Sequence, residues 1–199
     1  MSEFLQFLSE FTILFLTAVF LENTVLVRGF GLSRAMAIAI RPRSIFIYGS
    51  LLTLISILGG VACYGVKQLF PGLPGAYLPL VYLTAHTAVY LVIYAILVHT
   101  GEETRESARH YLPVASFNCA VMGSIFLALY NGYALWQFIA LGLGNGIGFI
   151  LATLLLLNAE RVLNRTEAPR SFAGFPVMLI YVGILGLAFY SLVGHRLPF

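Results

Sequence analysis

The sequence predicts an all-α membrane protein of six transmembrane helices, arranged as a 3+3 inverted repeat with the first and fourth helices broken. Three observations carry that expectation. Of the 199 residues 60% are hydrophobic and 10% charged, and the mean hydropathy is +0.93, far from the composition of a soluble domain. The apolar residues fall into six runs, each near the roughly 20 residues that a helix needs to cross a bilayer. Two of the runs are interrupted by asparagine and glycine, which break a helix or must be satisfied by neighbouring protein. The runs leave no room for a soluble domain, so a single membrane domain over 1–199 is expected.

The first run, Phe7–Val27, follows Met-Ser-Glu-Phe, which lacks the positive region of a cleavable signal, so it is expected to stay as an anchor. Glu22-Asn23-Thr24 interrupts it. Clean spans are expected at Ile45–Val66 and Tyr77–Val98. The fourth, Leu112–Leu129, carries Pro113 and the run Phe117-Asn118-Cys119-Ala120-Val121-Met122-Gly123. The fifth, Leu135–Leu157, contains Gly142, Gly144, Gly146 and Gly148 around Asn145. No strand precedes these glycines, so they read as close helix packing and not as a nucleotide loop. The sixth is Val177–Val193. Tyr48, Tyr64, Tyr77, Tyr130, Tyr133 and Trp136 fall where interfacial anchors belong. With two cysteines in two different spans, a disulfide framework is not expected.

The net charge of +3 is too small to imply a nucleic-acid partner. Its distribution says more. Arg28, Arg34, Arg41 and Arg43 follow span one, Arg105 and Arg109 follow span three, and Arg161, Arg165 and Arg170 follow span five. Nine of the eleven cationic residues therefore share one side, against Lys67 and Arg196 on the other. The positive-inside rule then places both termini outside the cytoplasm.

The two halves, about 1–105 and 106–199, echo each other. Each opens with a span interrupted at an asparagine, Asn23 or Asn118, and continues with two cleaner spans. An odd number of spans per half inverts the second half relative to the first. Inverted repeats with broken helices recur where membrane proteins handle ions or charge.

Chemistry concentrates at Cys119, because a thiol is the softest metal ligand a protein offers. Asn118-Cys119-Ala120-Val121-Met122-Gly123, following Tyr111-Leu112-Pro113, resembles the signature of the small integral-membrane subunits of the Rnf and Nqr redox pumps. Glu22-Asn23 leading to Val25-Leu26-Val27-Arg28 and Gly31-Leu32 resembles the family's first broken helix. Ala159-Glu160-Arg161 resembles its charged helix end, and Pro169 to Gly174 with Leu185-Gly186-Leu187-Ala188-Phe189 its last loop and span. The resemblance covers nearly the whole chain.

The resemblance implies a subunit with no complete active site of its own, part of an ion-translocating oxidoreductase in a bacterial or archaeal cytoplasmic (inner) membrane. Two homologous six-helix subunits of opposite topology would pair there. Each would offer thiolates from its two broken helices to one shared [2Fe–2S] cluster. That cluster would pass electrons between flavin and iron–sulfur redox subunits on the two sides, coupled to movement of Na⁺ or H⁺. Cys119 is the expected ligand from this chain, and Asn23 and Asn118 would satisfy backbone groups freed at the breaks.

One position departs from the family. Gly31-Leu32 is followed by Ser33 where a cysteine is expected, and a serine oxygen is harder and far less acidic than a thiol. Either Ser33 serves as an oxygen ligand, or a partner supplies the third sulfur, or the cluster is absent. Arg34 beside it favours an anionic group. A cluster-less relative acting as an ion or solute transporter, or in assembly of the complex, is the alternative reading. There Glu22 and His86 would line the path. The bland reading pairs Glu22 with Arg28 and leaves His86 as a histidine hydrogen-bonded between helices. His99 and His110 flank a loop and receive no role.

Overall fold

The computed structural model describes residues 2–39, 41–72, 74–99, 102–163 and 174–191, and among them there is helix and no strand. Helix α1 (Ser2–Leu16) passes into one π-helical stretch, Thr17–Leu21. A short α2 (Leu32–Ile38) precedes α3 (Pro42–Leu69), with proline at its first turn, where a missing N–H does no harm. Then come α4 (Leu78–Val98), α5 (Glu102–Ser116), α6 (Cys119–Tyr130), α7 (Leu135–Leu163) and α8 (Phe175–Ser191). Five segments are long and apolar enough to cross a membrane: Glu3–Leu21, Pro42–Leu69, Leu78–Val98, Arg109–Tyr130 and Leu135–Leu163. The 17-residue α8 is a shorter apolar helix. The all-α membrane architecture is as the composition requires.

The first span is shorter than expected. It stops at Leu21 and not at Val27, because the π turn closes with Glu22 N–H on Thr17 O at 2.7 Å and the chain then leaves the helix. Spans two and five run on to Leu69 and Leu163, past the expected Val66 and Leu157. Val193 of the sixth expected span, together with Arg165, Arg170 and Arg196, lies outside the described residues, as do the side chains of Glu102, Glu103, Thr104 and Arg105.

Helix α7 is the centre of the bundle, and its glycines explain how. Side chains four apart on a helix share a face. Gly142 and Gly146 lie against Ile57 and Thr53 of α3, while Gly144 and Gly148 lie against Ala18 and Val19 of the π stretch. A Cβ at any of the four would meet heavy atoms of the neighbour at or inside close contact. The alternation thus serves two faces, letting α7 approach α3 on one side and the end of the first span on the other. Gly49 meets Ile150 and Gly142 meets Ile57, so α3 and α7 run antiparallel. Arg43 and Arg161 consequently share one end of the bundle and Lys67 sits at the other. The outer surface is apolar, with Leu80, Leu83, Leu91, Val92 and Ile96 of α4 all exposed.

Candidate functional site

The two interruptions seen in the sequence are helix breaks, and each is closed by its asparagine. Asn23 is fully buried; its Oδ1 accepts from the N–H groups of Val25 and Leu26, both at 3.0 Å. Its Nδ2 donates to Val19 O at 2.8 Å and to Gly148 O at 3.0 Å. Asn118 caps α6, with Oδ1 accepting from Ala120 N–H at 2.9 Å and Nδ2 donating to the Tyr48 hydroxyl at 2.8 Å. Tyr48 in turn donates to Val114 O at 3.1 Å. An open helix end in an apolar layer would leave costly unpaired amides and carbonyls. These side chains supply the missing partners.

The breaks touch each other. After Asn23 the chain turns through Gly29 and Gly31, at φ +69° and +75°, a region that favours glycine. The Gly31 N–H donates to Cys119 Sγ at 2.9 Å. Phe30 lies on Gly123 of α6 and Asn118 on Gly31, each contact filling the space where a Cβ would be. Cys119 and Ser33 are both exposed and open onto one cavity of about 380 Å³, together with Arg34 and Asn118. At roughly 1.5 Å per residue the 12-residue α6 is about 18 Å long, little more than half of a ~30 Å hydrocarbon core. Cys119 falls midway along the candidate span Arg109–Tyr130.

The electrostatics of this cavity are positive. The N-terminal end of α6 carries partial positive charge. Arg34 borders the cavity and stacks its guanidinium over the Tyr48 ring, 5.5 Å from the centroid. Cys63, by contrast, is fully buried between α3 and α4, with Sγ donating to Tyr82 O at 3.5 Å. It does not share the cavity lined by Cys119. Among the described residues no three His, Cys, Asp or Glu side chains could hold a metal together. The donors this chain brings to the cavity are one thiol and one hydroxyl.

Glu22 and His86 stand apart from that pair and from each other. Glu22 forms an ion pair with Arg28 at 3.0 Å and is half exposed. His86 is fully buried, its Nε2 donating to Ser116 O at 2.9 Å, the carbonyl left free where α5 ends. Its ring packs edge-on to Phe117, and its Nδ1 has no hydrogen-bond partner among the described residues. Near Glu22 a cavity of about 10 Å³, room for about one water, is bordered by Thr24, Ser124 and Asn145.

A profile described as "Rnf-Nqr subunit, membrane protein" matches residues 11–195. The chain belongs to the Rnf-Nqr family. It is 25% identical over 184 residues to the A-type subunit of the Na(+)-translocating ferredoxin:NAD(+) oxidoreductase complex of Acetobacterium woodii, covering 92% of this chain and 96% of that one. It is 27% identical over 187 residues to the A-type subunit of the ion-translocating oxidoreductase complex of Aromatoleum aromaticum, covering 93% and 97%. The corresponding protein of Syntrophotalea carbinolica is 29% identical over 185 residues, covering 89% and 93%.

Two residues of this Rnf-Nqr subunit matter more than the sequence reading allowed. Tyr48, expected as an interfacial anchor, is fully buried, because its hydroxyl is needed between Asn118 and Val114. Asn145, expected only within a packing run, is a buried knot. Its Oδ1 accepts from Thr24 Oγ1 at 2.6 Å, and its Nδ2 faces Ser56 Oγ, Ser124 Oγ and Ala120 O, each at 3.2 Å. The signal for it was an amide in the middle of an apolar span, which membranes rarely hold without a partner.

Proposed function

We propose that this chain is the A-type membrane subunit of a redox-driven complex that moves Na⁺ or H⁺ across a bacterial or archaeal cytoplasmic membrane. It would carry electrons through a [2Fe–2S] cluster shared with a homologous six-helix subunit of opposite topology. The observation that carries this reading is Cys119. Its thiol stands at a helix N-terminus midway along the candidate span Arg109–Tyr130, open to the cavity that also holds Ser33. Membership of the family, and the A-type relatives that span nearly the whole chain, support it. The nine-to-two bias of cationic residues supports termini outside the cytoplasm. The like placement of Asn23 and Asn118 at two broken helices supports a 3+3 inverted repeat.

The donor set fits half of a shared cluster. Cys119 would supply a soft thiolate and Ser33 an oxygen, with the remaining ligands from the partner. When bound, the group would accept and release a single electron inside the bilayer. The residues around it have separate tasks. Gly31 N–H donates to Sγ and Arg34 places positive charge beside an anionic site. Asn23, Asn118 and Tyr48 hold the two breaks in register. Glu22, beside the small cavity of Thr24 and Asn145, is the candidate start of an ion path, and His86 a candidate member of it. Flavin and iron–sulfur subunits on either side would deliver and remove electrons.

The test is iron per chain and the low-temperature EPR spectrum of the complex, purified anaerobically with its co-expressed neighbours. A reducible [2Fe–2S] signal that is lost in Cys119→Ala, with folded protein retained, is expected. In Ser33→Cys the same signal should shift, since the ligand atom changes from oxygen to sulfur. An iron-free wild type of normal stability would overturn the redox role. It would leave the Ser33 departure as the mark of a cluster-less transporter or assembly factor.

A further inference from the structure

A third cavity, of about 290 Å³, lies at the cationic end of the bundle between α2, the start of α3 and α5. Its polar lining among the described residues is Arg34, Arg41, Ser44, His110 and Tyr111, with no carboxylate among them. Glu106, one turn before His110, is exposed and not part of the lining. Among the described residues the one ion pair is Arg28–Glu22, so neither Arg34 nor Arg41 has an acidic partner there. The Nε of Arg34 is buried and has no acceptor. Native structures rarely leave a buried donor, least of all a charged one, without a partner.

The donors are of several kinds. Two guanidiniums offer planar forks suited to oxyanions. The Ser44 and Tyr111 hydroxyls lie 3.0 Å apart; one must donate to the other, which leaves the second hydrogen free for a ligand. His110 packs its ring against Tyr111 at 4.8 Å. The N-terminal end of the 28-residue α3 adds further positive charge. So many donors around one space exceed what a two-oxygen carboxylate can accept. A tetrahedral oxyanion can use them.

The geometry points to a phosphate-binding site here, for the phosphate of an anionic phospholipid headgroup or of a soluble phosphate compound. The cavity opens at the first turn of the candidate span Pro42–Leu69, at the end of the bundle that Arg43 and Arg161 share. This assignment uses neither Cys119 nor Ser33 and shares only Arg34 with the redox proposal.

The test is phospholipid retention by the purified complex, read by native mass spectrometry after transfer from phosphatidylglycerol nanodiscs. Arg41 and His110 are exposed, so Arg41→Gln/His110→Gln leaves the core untouched. Retention of bound phosphatidylglycerol is expected to fall about tenfold or more in that double variant, and inorganic pyrophosphate should displace the lipid from the wild type. Lys67→Gln, at the opposite end of the bundle, should retain it. Should delipidated wild type alone bind pyrophosphate while holding no lipid, the phosphate chemistry stands and its source is soluble. Equal lipid retention in wild type and double variant, with pyrophosphate bound by neither, overturns the assignment. So does an acidic segment of a partner subunit cross-linked into the cavity.

Discussion

At Gly31 two demands meet in one residue. The backbone holds φ +75°, and Asn118 Oδ1 lies 2.6 Å from where a Cβ would stand. Gly31→Ala is therefore expected to lower stability by about 1–3 kcal/mol, read as a fall in thermal unfolding temperature in detergent. Unchanged unfolding would mean that the contact between the two breaks relaxes freely. The glycine and the asparagine were both legible in the sequence as interruptions of apolar runs. That they touch was not, because residues 31 and 118 are brought together only when the turn before α2 packs on the start of α6. Tyr48 was misplaced for the same reason. Its partners lie 66 and 70 residues away, and a tyrosine near the start of a span looks interfacial until they are known.

Among the elements, α7 decides the geometry. Its four glycines were readable as close packing, but not their division between two faces, which depends on which helices flank it. Asn145 ties the loop after the first span, α3 and α6 to this helix through one amide. Interhelical hydrogen bonds in membranes average about 0.6 kcal/mol each, so losing the set should cost about 2 kcal/mol. Asn145→Leu should show that loss in denaturant titration, with the Thr24 hydroxyl left without its acceptor while Ser124 keeps its bond to Val121 O. A variant as stable as the wild type would mean that the Thr24 hydroxyl finds another acceptor. The early end of the first helix has a local cause. The π turn and the Asn23 side chain release the chain at Leu21, and neither the π turn nor the side-chain bonds has a hydropathy signature.

At the scale of the molecule, composition alone fixed the class, six apolar runs gave the helices to within a turn or two, and charge counting gave an expected orientation. The antiparallel register of α3 and α7 puts Arg43 and Arg161 at one end. In intact cells a cysteine placed by Glu3→Cys should react with an impermeant reagent, and one placed by Arg161→Cys only after lysis. The opposite pattern would invert the topology. The ligand set was the least legible feature, since a site shared between two chains, as proposed above, leaves only a fraction of its chemistry in each. Of the two native thiols, Cys63 is sealed in the core and Cys119 lies open. Under the proposed pairing, an unassembled copy of this chain thus carries a single accessible thiol on the surface that docking would cover. Docking would mask it, so the fraction of labelled chains counts orphan copies directly, with no engineered reporter.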